Sequence, residues 1–236
     1  MTARTPGNPR GLRDLPFALP QVTAAQKRRA REVIAALFDA YPDAVCELDY
    51  TQPHELLIAT ILSAQATDAG VNKATPGLFR AFPNPDDYAR ATPATIEPYI
   101  KSIGLFRNKA KAIHAAMTRL VEEHGGEVPS SIDELLELRG VARKTANVVL
   151  GNAFGINDGF VVDTHVERIS KRLGLVPMEA TTAMTERYLV ALVKRDDWCD
   201  ASHALIFHGR RACKARMAGC SEHPICGKYG RCCDLR

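Results

Sequence analysis

The 236-residue sequence has no apolar run approaching the ~20 residues that a membrane-spanning helix requires, which excludes a helical integral membrane protein. Its arginine-bearing start is followed by no apolar h-region, so a secretory leader is not expected and the cytoplasm is the expected location. Charge of one sign is scarce. A formal net charge of +4 is compatible with an anionic partner but too small to identify one. No self-similar period is visible, which excludes a solenoid. Strand-like runs are almost missing; only Gly159–Val162 reads that way, too isolated to build a sheet. Cysteine is sparse until the last two dozen residues: Cys46 and Cys199 stand apart, while Cys213, Cys220, Cys226, Cys232 and Cys233 crowd together. That distribution excludes a disulfide framework stapling the whole chain and favours thiolates gathered on a metal.

What remains is helical. Hydrophobic residues at 46% and charged residues at 25% are those of an ordinary globular protein long enough for one or two cores. The Pro-, Gly- and Arg-rich stretch 1–20 is expected to be a disordered basic tail. Over Ala24–Tyr41, Val33, Ile34, Leu37, Phe38 and Tyr41 share one face, and Pro42 stops the helix. Similar patterns predict helices near 54–65, 68–81, 93–102, 107–124, 131–138, 142–154, 164–173, 181–194 and 200–212. Breakers punctuate them at Phe82–Pro85, Gly125–Pro129 and Gly155–Gly159. Ser130 or Ser131 is placed to cap the helix that follows, with Glu134 available for a capping box. The expected fold class is all-α, with an internal boundary after Phe154.

The most informative segment is Leu138–Leu150. A short amphipathic helix ends at Leu138, a turn containing Gly140 follows, and a new helix begins by Arg143. Such a turn aims backbone N–H groups outward from the positive end of a helix dipole, where a DNA phosphate fits without any base being read. Lys144 sits at that positive end. The position disfavours its charge, which is poor placement for stability and good placement for a nucleophilic amine. Asp163 precedes another helix and reads as an N-cap behind Val161 and Val162. In the tail, four thiolates spaced Cys213-x6-Cys220-x5-Cys226-x5-Cys232 suit a [4Fe–4S] cluster, with four-thiolate zinc as the rival.

These segments together resemble the endonuclease III family of DNA repair enzymes. The hairpin is similar to the family pattern Leu-Pro-Gly-Val-Gly-Arg-Lys-Thr-Ala-Asn-Val-Val, with Arg139 in place of the proline and Ala142 in place of the second glycine. By that resemblance Lys144 is the catalytic lysine, and Asp163, in the run Val162-Asp163-Thr164-His165, is the essential aspartate. Arg139, Gly140, Val141, Ala142, Arg143 and Thr145 are then expected to contact DNA. Within Leu62–Asp68, Gln65 would plug the gap left by a flipped nucleotide, and Leu105 in Ile103-Gly104-Leu105 would wedge the opposite strand. Asp68 and His165 would border the pocket, although Asp68 also reads as a helix cap and His165 as a structural hydrogen-bonding group.

The family's cysteine gaps are x6, x2 and x5, so the middle gap here is three residues longer, with His223 where the third cysteine would fall. The preferred ligands are Cys213, Cys220, Cys226 and Cys232; His223 for Cys226 and Cys233 for Cys232 stay open. Nine Lys/Arg against five Asp/Glu from Lys194 onward suit a loop that rests on a DNA backbone.

The resemblance implies two α-helical domains flanking a DNA-binding cleft. One would be a six-helix domain at 46–156, and the other a cluster domain made of 21–45 plus 157–236. Lys144 and Asp163 would face each other across the cleft. It also implies a monomeric glycosylase with lyase activity on oxidised pyrimidines in double-stranded DNA, acting through a lysine Schiff base and β-elimination. Adenine- and thymine-mismatch glycosylases fit less well because they lack the lysine, and oxoguanine glycosylases because they lack the cysteine loop. Lys144 with Asp163 argues against a non-catalytic DNA-binding or redox-sensing protein.

Overall fold

The computed structural model describes residues 15–216 and 222–231. Among them every regular element is helical and no strand forms, so the chain is all-α. The chain divides into two compact units. One spans Glu47–Ile156, and the other joins the described residues through Cys46 to those from Asn157 onward.

The first unit is organised around α2 (Pro53–Ser63), whose residues Leu56 to Leu62 are all buried. A helix that is apolar on every side has to sit inside its unit. Each fully buried Leu or Ile contributes about 1.5–3 kcal/mol of transfer free energy. Pro53 at the first helical position and a capping box between Gln52 and Glu55 start it. Around it pack α3 (Asp68–Ala81), α6 (Phe106–His124) and α8 (Arg143–Phe154). α4 (Pro85–Arg90) and α5 (Pro93–Ile100) pack on α6, and α7 (Ile132–Leu136) packs on α8. α4 lies where the sequence suggested a break. Asn84 accepts a hydrogen bond from the Asp87 N–H and Pro85 takes the first helical position, so the supposed breaker is a helix start. Ser131 does occupy the N-cap of α7, but its side chain makes no capping hydrogen bond.

The second unit is built from α1 (Ala24–Ala40), α9 (Thr164–Arg172), α10 (Thr182–Leu192), α11 (Trp198–Arg211) and the short α12 (Pro224–Tyr229). Thr23 and Gln26 form a capping box at α1, and the face expected to be apolar buries Val33, Ile34, Leu37 and Tyr41. Of the stretch expected to be a disordered tail, residues 1–14 lie outside the described residues. From Leu15 the chain is packed: Leu15 is buried, and Phe17 and Leu19 lie on the same core. Gly159–Val162 is in no sheet. It threads Phe160 and Val162 into that core, and Ser202 Oγ holds the Val161 carbonyl at 2.9 Å. No helix among the described residues is long and apolar enough to cross a membrane.

Candidate functional site

In the first unit, the turn between α7 and α8 is closed by the Val141 N–H donating to the Leu138 carbonyl at 3.1 Å. Leu138 and Val141 are buried and anchor the turn, while Arg139 and Ala142 are exposed. Gly140 has φ +85°, and a Cβ there would stand 2.9 Å from the Ala112 Cβ on α6. Glycine is therefore required both by its backbone conformation and by close packing. Ala142 has φ −92° and ψ 168°, an extended backbone that any residue adopts, so the missing second glycine strains nothing. Ala142 is also the N-cap of α8 and has no side-chain acceptor to offer its first turn. That turn carries Arg143 and Thr145, both half-buried, and Lys144, which is exposed. On the other side of the hairpin, Arg119 of α6 donates to the carbonyl and carboxylate of Glu137, pinning the end of α7.

The same unit holds the two loops read as DNA-probing. Gln65 (φ 56°) and Leu105 (φ 59°) are the only non-glycine residues with positive φ among the described residues. Each such conformation costs roughly 1–2 kcal/mol for an L-residue with a Cβ. Gln65 is exposed beyond the end of α2, and Leu105 is 60% exposed at the N-cap of α6. A large apolar side chain held in solvent in a strained conformation gains nothing for the fold, which makes Leu105 a candidate for a functional contact. Asp68 is not the cap of α3. Thr67 takes that place, its hydroxyl accepting from the Gly70 N–H, and Asp68 is the first helical residue, half-buried.

In the second unit, Asp163 is the N-cap of α9, its Oδ1 accepting the Val166 N–H at 2.8 Å. The carboxylate is thus held rigidly and only half-buried. Two residues on, His165 Nδ1 lies 3.3 Å from Arg168 Nη2 and close against Gly209 of α11. The other end of α9 holds the cysteine segment. Arg168 donates to the carbonyls of Gly209 and Cys213, and Arg172 donates to the Cys213 Sγ at 3.1 Å and the Lys214 carbonyl at 2.9 Å. Arg29 of α1 donates to the carbonyls of Leu173 and Tyr229, tying α12 to the same place. One helix therefore carries the aspartate at its start and grips the cysteine segment with Arg168 and Arg172.

Cys213 and Cys226 are buried and neither is in a disulfide; Cys220, Cys232 and Cys233 lie outside the described residues. Cys226 is carried by α12, a helix that sequence reasoning did not foresee, with His223 at its N-cap and Pro224 at its first position. The fully buried His208 joins this group, its Nε2 3.2 Å from the Cys226 Sγ and its Nδ1 2.9 Å from the Tyr41 hydroxyl. Burial, then His223 and Arg168, push the His208 imidazole down to about 4, so the ring is neutral. In the tautomer with its proton on Nε2, the ring accepts from the Tyr41 hydroxyl at Nδ1 and turns an N–H toward the sulfur. Burial pushes the Tyr41 hydroxyl up to about 12, so it stays a donor. The ligand atoms of His208, His223 and Cys226 lie within 4.8 Å of one another, so both candidates for the third ligand are in one place. Two buried thiols, one facing the Arg172 guanidinium and the other the His208 imidazole, are chemically suited to thiolates on a metal or cluster, whose sulfur charge such groups stabilise.

Sequence reasoning missed Tyr41 and Arg172 as neighbours of this group, neither of which stands in a motif of its own; His208 opens the stretch His208-Gly209-Arg210-Arg211, which resembles the family's lead-in to the cysteine loop. It also missed Lys109, which does leave a sign. Lys109 falls on the buried stripe of α6 with Ile113, Ala116, Met117 and Leu120, where the helical period calls for an apolar residue.

The sequence pattern of the HhH-GPD superfamily of base excision DNA repair proteins matches residues 58–195. The chain is 52% identical to the endonuclease III of Synechocystis sp. over 84% of its own length and 90% of that protein. It is 47% identical to the endonuclease III of Bacillus subtilis over 79% of its length and 85% of that protein. Among solved structures, a trapped endonuclease III–DNA covalent intermediate superposes with a TM-score of 0.82 at 42% identity, covering 89% of this chain and 97% of that one. With its glycine hairpin, its left-handed Gln65 and Leu105 and its capping aspartate, the chain belongs to the HhH-GPD superfamily and, within it, to the endonuclease III family of base excision repair DNA glycosylases.

Proposed function

We propose that the protein is a bifunctional DNA glycosylase and abasic-site lyase that removes oxidised pyrimidines from double-stranded DNA. The observation that carries this reading is Lys144. It is an exposed amine on the first turn of a helix with no side-chain cap, directly after a turn that only glycine can make. That a relative of 42% identity is known as a covalent intermediate with DNA supports a covalent route here.

The uncapped N–H groups of α8 receive a backbone phosphate of the lesion strand, with Arg139, Gly140, Val141, Ala142, Arg143 and Thr145 forming the surface around it. The damaged nucleotide leaves the stack, Gln65 fills its place, and Leu105 wedges the opposite strand. Lys144 Nζ, neutral when it attacks, bonds to the sugar C1′ as the C1′–base bond breaks, and the base departs with a proton. Ring opening gives an imine. Loss of a proton from C2′ then expels the 3′ phosphate by β-elimination. The Asp163 carboxylate, its direction fixed by the Val166 N–H, takes up the lysine proton or stabilises positive charge developing on the sugar. Asp68 and His165 border the pocket.

Cys213 and Cys226, with Cys220 and Cys232, are the ligands of a [4Fe–4S] cluster, and His223 and Cys233 are the alternates for Cys226 and Cys232. Such a cluster cross-links the C-terminal segment and presents its basic residues to the DNA backbone. The enzyme works as a monomer in the cytoplasm.

A panel of duplexes carrying thymine glycol, dihydrouracil, a uracil mismatch or an abasic site tests the reading. Expected is base release and strand nicking on the oxidised pyrimidines, and nicking at the abasic site. Base release from the oxidised pyrimidines without any nicking would remove the lyase half of the proposal, and release from uracil mismatches alone would remove its substrate class.

A further inference from the structure

One residue reaches both of the left-handed turns. Lys109 is only 6% exposed, and its backbone N–H donates to the Leu105 carbonyl at 3.1 Å, the first hydrogen bond of α6. Its ammonium crosses to the end of α2, where it donates to the Leu62 carbonyl at 2.8 Å and the Ala64 carbonyl at 2.6 Å. Ala64 immediately precedes Gln65. The backbone of Lys109 therefore fixes one strained residue and its side chain fixes the neighbour of the other.

The chemistry suits a lysine and little else. The last carbonyls of a helix have no partner within it, and the negative end of the dipole favours a cation. Lysine brings three donors on a stem long enough to cross a core, so it satisfies two carbonyls at once. A leucine or methionine would suit the apolar stripe of α6 better and would leave both carbonyls unpaired. Among the described residues no carboxylate pairs with Lys109. Burial alone pulls its ammonium below the usual lysine range, so the charge is kept at a cost that packing does not explain.

We infer that Lys109 is a positioning residue whose ammonium holds the Gln65 turn in its left-handed conformation, tied to the helix that begins at Leu105, before DNA arrives, so that filling the vacated stack requires no further ordering of that turn. This rests on the reading of Gln65 and Leu105 as the residues that enter the duplex. Removal of the ammonium frees Ala64 and the Gln65 turn to relax to ordinary backbone angles, and that displaces the two side chains relative to each other.

The test compares single-turnover base release from a thymine glycol duplex with borohydride trapping on a single-stranded abasic oligonucleotide, which has no stack to fill. Lys109→Met is expected to slow release from the duplex by about ten- to hundredfold, the loss that an ångström of misplacement produces. Trapping on the single strand is expected to stay unchanged. In a Gln65→Ala/Leu105→Ala background, adding Lys109→Met should cost no more than about twofold, because groups acting as one unit are not additive. Lys109→Gln, which keeps one donor, should be intermediate, and it replaces the methionine variant if that one fails to fold. Equal losses on duplex and single strand, or a full further loss in the double-alanine background, would overturn the inference and leave Lys109 as a cap of α2. Wild-type release by the double-alanine variant would instead remove the underlying reading of Gln65 and Leu105.

Discussion

At the scale of single residues, the two acidic and basic candidates differ in what holds them. Asp163 has a structural duty as the N-cap of α9 as well as the chemical one proposed for it. Substitution separates the two. Asp163→Asn keeps an oxygen for the Val166 N–H and removes the charge, so thermal stability should change little while base release falls by orders of magnitude. Asp163→Ala should lose the same activity and, in addition, about 1 kcal/mol of stability from the missing cap. An Asp163→Asn variant with wild-type turnover would show that the residue is a cap and nothing more. Gly140 makes the complementary case. Gly140→Ala must accept φ +85° and crowd Ala112, and is expected to cost roughly 1–3 kcal/mol, read as a lowered midpoint in a thermal melt. These roles were legible in the sequence because each residue stands in a local pattern: a capping position before a helix, a glycine in a tight turn. Lys109 was not, because its partners on α2 lie more than forty residues away and only its odd place on an apolar stripe betrays it.

At the scale of elements, the long helices followed from their periodicity, and so did the short α5 and α7, whereas α4 and α12 did not. α4 and α12 each have six residues and lie in stretches read as a proline break and as part of a cysteine gap. Each begins with a proline at the first helical position behind a capping side chain, Asn84 or His223. Pro85, which suggested a break, is a helix start, and so is Pro224. α12 matters most, because it carries Cys226 and gathers His208 and His223 around it. Separate substitution decides between the two candidate ligands. Cys226→Ser should yield protein with depleted iron and a lost visible absorption band, while His223→Gln should keep both; the reverse pattern assigns the third ligand to His223. The start of α8 gives a further test. Ala142→Ser supplies the missing N-cap and should raise stability by about 1 kcal/mol. The same hydroxyl competes for the N–H groups proposed to bind phosphate, so DNA affinity, measured by anisotropy, should fall. Raised stability with unchanged affinity would argue against phosphate binding at this helix start.

At the scale of the whole molecule, each unit contains a histidine whose imidazole burial holds below its ordinary value: His54 in the first and His203 in the second. Both are neutral when folded and take up a proton more readily when unfolded, so the unfolded state binds more protons as the pH drops through the ordinary histidine range near 6.5. Stability should therefore be fully present above that range and decline as the pH falls below it toward the depressed folded values. Denaturant melts at pH 7.5 and 5.5 should show the decline, and His203→Gln should reduce it; pH-independent stability over that interval would contradict the burial of these rings. The all-helical class was legible from composition and period, since nothing in the chain offered a second strand to pair with Gly159–Val162. How the segment before α1 packs was less so: Leu15, Phe17 and Leu19 are few, lie among prolines and follow no helical period that would announce a place in a core.

The proposed chemistry turns on one bond, between Lys144 Nζ and a sugar carbon. The measurement that reaches it directly is borohydride reduction during reaction with an abasic duplex, followed by proteolysis and mass spectrometry of the cross-linked peptide. Expected is a single adduct on the peptide containing Lys144, abolished in Lys144→Gln while that variant still binds the duplex. An adduct on another residue, or one that survives in Lys144→Gln, would contradict the lysine mechanism.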